Sequence, residues 1–100
     1  MSPRVPLDRK KLAAFCRRHH VRKLSLFGSV LTDRFGPQSD VDVLVEFEPH
    51  QGQGYLGLAR MQRELSALVG RNVDLRTPLE LSRYFRDEVI SNAQVQYSAA

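Results

Sequence analysis

Two aspartates one residue apart open the most apolar stretch of the chain, Asp40-Val41-Asp42-Val43-Leu44-Val45-Glu46-Phe47. Alternate side chains of a strand leave opposite faces, so Asp40 and Asp42 share one face while Val41, Val43, Val45 and Phe47 share the other. Neighbouring carboxylates repel unless a cation lies between them, and acid oxygens at this spacing suit a hard divalent ion such as magnesium. Upstream, Leu24-Ser25-Leu26-Phe27 reads as a short apolar strand that ends in Gly28-Ser29, and ten residues separate that corner from Asp40. A short helix is expected from Ser29 to Phe35. Glycine lets backbone approach a ligand closely, and free N–H groups at a helix start attract phosphate. Phosphate grip and metal grip on neighbouring strand ends suit a metal-bound nucleotide. A further acid, Asp74, stands in the strand pattern Asn72-Val73-Asp74-Leu75-Arg76. Taken singly each acid has a plainer reading: Asp40 can begin a strand after a turn, and Asp42 and Asp74 can face solvent. Their joint spacing with Gly28-Ser29 favours chemistry, whereas Glu46, farther along the same face, reads as a surface residue.

The elements that must position these groups follow from periodicity. Leu12, Phe15, Cys16 and His19 recur at helical spacing, giving a first helix from Leu7 to His20 with Asp8 as N-cap and Leu7 stapling to Leu12. His19 and His20, at its end, read as structural or surface residues, because no Cys/His spacing resembles a zinc site. Lys23 to Phe27 and Val41 to Phe47 are strands. The second is apolar on both faces because of Leu44, which places it in mid-sheet with cover above and below. Glu48 to Gly54 is a polar loop, and its exposed residues are candidates for docking a partner. Leu58, Met61, Leu65, Leu68 and Val69 stripe a helix from Tyr55 to Val69 that Gly70 stops. Thr77-Pro78-Leu79-Glu80 carries a capping box with proline at the first position. It predicts a last helix reaching Ser91-Asn92, with Leu81, Tyr84, Phe85 and Val89 on its buried side. Gln94 to Ala100 is expected to be a flexible tail.

Helix, strand, helix, strand, helix, strand, helix is the order of an α/β domain of two or three layers. One hundred residues make a single domain, its core spanning about residues 7–92. One cysteine excludes an intramolecular disulfide framework and fits a reducing cytosol. Met1-Ser2-Pro3-Arg4-Val5-Pro6 lacks a signal-peptide core and no run approaches membrane-span length, so a cytoplasmic location without membrane contact is expected. A net charge of +4 implies an anionic partner. The basic residues are scattered and lack interleaved aromatics, which disfavours nucleic acid as a direct partner.

Gly28-Ser29, ten residues, Asp40-Val41-Asp42 and then Asp74 resemble the signature of polymerase-beta-type nucleotidyltransferases, specifically the minimal nucleotidyltransferase (MNT) antitoxins that accompany HEPN-domain toxins. The resemblance runs from about Leu7 to Ile90. It implies a small mixed β-sheet packed by helices, the polymerase-beta-like nucleotidyltransferase fold, with a short extra edge strand from the tail. It implies transfer of AMP from ATP to a toxin tyrosine near the toxin's active site. Two magnesium ions would be held by Asp40, Asp42 and Asp74, while Gly28 and Ser29 bind the β- and γ-phosphates. Many family members carry arginine just after the Gly-Ser pair. Here Val30, Leu31 and Thr32 follow, which leaves Arg34 or Arg76 for the phosphates. Two other readings stay open: a binding antitoxin that masks its toxin without chemistry, and a nucleotidyltransferase acting on RNA or a small molecule.

Overall fold

Val41, Val43 and Val45 are at most 2% exposed and meet Leu12, Phe15 and Cys16 from one helix and Met61 and Leu65 from another in one apolar cluster. That cluster holds the domain together. Fully burying side chains of this size stabilises by about 1.5 to 3 kcal/mol each. The computed structural model describes residues 7–99, so Met1 to Pro6, where the signal-peptide reading falls, and Ala100 lie outside it. Its elements are α1 (Arg9–Arg18), β1 (Val21–Phe27), a 3-10 turn (Gly28–Leu31), β2 (Val41–Phe47), α2 (Tyr55–Val69), β3 (Val73–Arg76), a second 3-10 turn (Pro78–Glu80), α3 (Arg86–Asn92) and β4 (Gln94–Ser98).

The strands form one mixed sheet in the order β3-β2-β1-β4. β1 runs antiparallel to β2 and β4, and β2 runs parallel to β3. β2 is thus interior, as its two apolar faces require. Leu44, on its other face, is buried outside the main cluster.

Local chemistry sets the ends of the helices. Asp8 caps α1 by accepting from the N–H groups of Lys10 and Lys11 at 3.0 and 3.1 Å. Leu7 packs on the core. His19, its C-cap, lies against Phe15 with ring centroids 4.7 Å apart and bonds Glu64 Oε1 at 3.0 Å, a structural role as expected. Burial pushes the Cys16 thiol up to about 12, so it packs as an inert apolar group. Gly70 ends α2 at φ 78°, in the left-handed region that glycine enters without strain.

Three expectations need correction. The helix expected over 29–35 is a single 3-10 turn, because Thr32 closes it: its N–H and its hydroxyl both donate to Ser29 O at 2.9 Å. The last helix is not continuous either. The capping box forms, yet it caps one 3-10 turn, and the chain is extended at Leu81 before α3 begins at Arg86. Arg86 explains the break: its guanidinium donates to Pro78 O at 2.7 Å and Leu81 O at 3.1 Å, satisfying carbonyls that a longer helix would have used. As a result Tyr84 and Phe85 are 79% and 62% exposed rather than buried, and only Leu81 and Val89 are half-buried. Finally, the expected flexible tail contains β4, the edge strand that the resemblance implied.

Candidate active site

The parallel pairing of β2 with β3 sets Asp42 directly beside Asp74, one step beyond the Val41–Val73 pair. The antiparallel pairing of β1 with β2 sets Phe27 against Asp42, so the chain leaves β1 at Gly28 on that same end of the sheet. Backbone hydrogen bonding alone therefore gathers Gly28, Ser29, Asp42 and Asp74. Asp40 precedes β2 by one residue.

Gly28 is required twice over. Its φ of 76° belongs to the left-handed region, and a methyl group added to it would collide with Asp42 Oδ2. The backbone N–H of the next residue, Ser29, acts on the Asp42 carboxylate and favours its charged form. In this arrangement the Gly-Ser corner supports an acid as well as offering a place to a phosphate. Val30 follows, fully buried in the core, so an arginine there would have to leave its place in the packing.

The acids repel one another. Burial raises the Asp42 pKa first, and the charges of Asp74 and then Asp40 raise it further; Arg76 and the Ser29 N–H pull the other way. Asp40, exposed, accepts from Asn72 Nδ2 at 3.1 Å. Asp74 is clasped by Arg76, whose Nε lies 3.2 Å from one carboxylate oxygen while its terminal nitrogen donates to the other at 3.3 Å. As they stand, no three carboxylate, imidazole or thiol groups among the described residues are gathered into a cage for an ion. The donor set is nevertheless one of hard oxygens, with two of its members in register on adjacent strands and a mutual repulsion that a cation would relieve. These residues fit a divalent ion once Asn72 and Arg76 yield their acids.

Of the two arginines considered for phosphate, Arg76 is at the site. Arg34 stands exposed on the loop past the turn and forms no ion pair with the three aspartates. Other positioning residues escaped the sequence reading. Arg71 donates to Gly36 O at 2.7 Å and Ser39 O at 2.8 Å, and its guanidinium lies 4.5 Å from the Phe35 ring centre, which fixes the loop that delivers Asp40. Along the free edge of β3, the N–H groups of Val73 and Leu75 donate to Ser66 Oγ at 3.0 Å and Gln62 Oε1 at 2.8 Å. The signal was two polar residues of α2, four apart, beside its apolar stripe.

Comparison with known proteins agrees with this geometry. A family model described as a nucleotidyltransferase domain matches residues 9–96. A protein of Methanocaldococcus jannaschii, provisionally named a protein adenylyltransferase, is 31% identical over 85 residues, 85% of this chain and 89% of its own length. A solved structure provisionally named a minimal nucleotidyltransferase is 33% identical, with a TM-score of 0.70 over 85% of each chain. Two more distant structures share the fold. One is a toxin-antitoxin with AMP-PNP, with a TM-score of 0.74 at 18% identity, covering 93% of this chain and 75% of the other. The second is an MNT antitoxin in complex with a tri-AMPylated HEPN toxin of Shewanella oneidensis, with a TM-score of 0.65 at 17% identity, covering 91% and 70%. With the strand-end acids, the glycine corner and the mixed sheet in place, this chain belongs to the nucleotidyltransferase domain family.

Proposed function

We propose that this nucleotidyltransferase is the antitoxin of a HEPN-type toxin and silences it by moving AMP from ATP to a toxin tyrosine. The observation that carries the reading is the register of Asp42 beside Asp74 under the Gly28-Ser29 corner. It is supported by the provisional naming of the M. jannaschii relative and by the AMPylated toxin bound to an MNT protein of the same fold. We place the protein in the cytoplasm; among the described residues no helix is long and apolar enough to cross a membrane.

In this reaction the tyrosine oxygen forms a bond to the α-phosphorus of ATP, the bond from that phosphorus to the bridging oxygen breaks, and pyrophosphate leaves with those electrons. Asp40, Asp42 and Asp74 would hold two magnesium ions, which supply charge neutralisation at the attacking and leaving oxygens. Asp74, on the outer strand, stands on the acceptor's side and takes up or directs the tyrosine proton. Gly28 and Ser29 seat the β- and γ-phosphates, with Arg76 as the nearby cation. Alignment and electrostatics do most of the work.

The test uses the cognate toxin, α-labelled ATP and magnesium. Label should reach the toxin with wild type, and should fall to background with the Asp40→Ala, Asp42→Ala double variant or with EDTA. Neutralisation of the toxin that survives the double variant, with label never transferred by wild type, would replace this reading by masking without chemistry.

A further inference from the structure

Arg76 stands out among the basic residues because it sits within the acid cluster. It lies two residues after Asp74 on β3 and opposite Leu44 of β2. Strand alternation therefore aims it along the same face as Asp40, Asp42 and Asp74. Its fork covers both oxygens of Asp74, at 3.2 and 3.3 Å. A bidentate pair of this kind uses the in-plane directions that a metal would also use. On its far side Arg76 faces Glu80, whose Oε2 is 4.0 Å from the guanidinium. Glu80 is itself fixed, because its other oxygen accepts from Thr77 N at 3.0 Å and from the Thr77 hydroxyl at 3.2 Å in the capping box. The guanidinium thus lies between two acids, one in the candidate metal set and one held outside it.

We propose that Arg76 is a built-in counter-ion that competes with an incoming divalent cation for Asp74 and, when displaced, is received by Glu80. The proposal rests on the metal-site reading of Asp40, Asp42 and Asp74. Arg76 is on this view a positioning residue, and the 3-10 turn after β3 acts as its berth. Nearly half of its side chain is exposed, which leaves it room to swing.

The experiment is Mn2+ binding to the whole chain, followed by paramagnetic resonance of free ion, without nucleotide and without turnover. Removing the competitor in Arg76→Ala should tighten binding by about fivefold, a figure appropriate to a half-exposed ion pair. Arg76→Lys keeps the charge but loses the fork, and should move most of the way toward the alanine variant. Glu80→Gln keeps the capping box, which accepts glutamine, yet weakens the berth. It should loosen Mn2+ about twofold in the wild-type background and do nothing beside Arg76→Ala, the signature of a coupled pair. If Arg76→Lys binds like wild type, the arginine acts only through its overall charge and the proposal is overturned; unchanged or weaker binding in Arg76→Ala overturns it as well. Those outcomes leave the metal site intact. Wild type that fails to bind Mn2+, or binds it equally after Asp42→Ala, overturns the underlying reading and this proposal together.

Discussion

The two strands that carry the acids hold them in different ways. Asp42 belongs to β2, an interior strand bonded on both edges, and its carboxylate is met by main chain: Gly28 without a side chain above it and the Ser29 N–H, which favours its charged form. Asp74 belongs to β3, four residues at the sheet edge, and its carboxylate is met by the long side chain of Arg76. Even the outer hydrogen bonds of β3 are side-chain substitutes, supplied by Gln62 and Ser66 of α2. One acid is placed by backbone that cannot move without unfolding the sheet. The other is placed by contacts that can exchange. In the transfer proposed above, the first would anchor the nucleotide and the second would adjust as the acceptor is aligned.

The sharpest way to break this contrast is to remove the anchor's charge. Asp42→Asn keeps the shape of the side chain, yet the proposed transfer to the toxin should fall by about 10³-fold, the upper end of the loss when one preorganised electrostatic group is removed from an active site. Initial rates with labelled ATP measure it; a loss below tenfold would mean that Asp42 is no anchor. Gly28→Ala comes next. It puts a methyl group onto Asp42 Oδ2 at a left-handed φ of 76°, so strain of about 2 kcal/mol and a displaced carboxylate are expected together. Denaturant melts and transfer rates should fall in the same variant, the latter by about 10²-fold. On the adjustable side, Gln62→Ala leaves the Leu75 N–H without its acceptor and should lower stability by about 1 kcal/mol. Hydrogen exchange should then speed up at β3 and stay slow at β2; equal acceleration of both strands would erase the distinction.

The same contrast explains what could be read from the letters. Gly28, Ser29, Asp40 and Asp42 were legible because the elements that join them are close in sequence and alternate with period two, so strand geometry alone sets their faces. Asp74 was legible as a strand residue, and the parallel register that puts it beside Asp42 came from α2 returning the chain. The stretch after it was misread for a definite reason. Leu81, Tyr84, Phe85 and Val89 have helical spacing, and the capping box is real, but Arg86 reaches back to the carbonyls of Pro78 and Leu81 and ends the helix after one turn. A side-chain hydrogen bond of that kind leaves no periodic trace. In β4 a bulge where the pairing with β1 shifts between Leu24 and Ser25 breaks the alternation, leaving Val95 exposed and Tyr97 against the core. Arg71, Asn72 and Gln62 were missed on similar grounds, since each acts through a contact that only the folded chain creates.

The smallest effect expected concerns stability, and it runs opposite to activity. Burial and two neighbouring acids raise the Asp42 pKa above its ordinary value of 3.8, so the folded chain holds that proton more tightly than the unfolded chain does. Stability must then fall as pH rises from 3.8 through the folded value, because the native state is made to carry a charge that the unfolded state bears more easily. Asp42→Asn removes this penalty. At neutral pH it should stabilise the protein, by less than about 1 kcal/mol given the partial exposure of the group. The gain should vanish in melts run below pH 3.8, where wild type is protonated in both states. Asp74→Asn should show no such gain, since it takes away the nearer charged partner of Arg76 and leaves the guanidinium only Glu80, 4.0 Å away. Equal stabilisation by the two substitutions would show that both acids are strained alike, and the division between a fixed acid and an exchangeable one would fail.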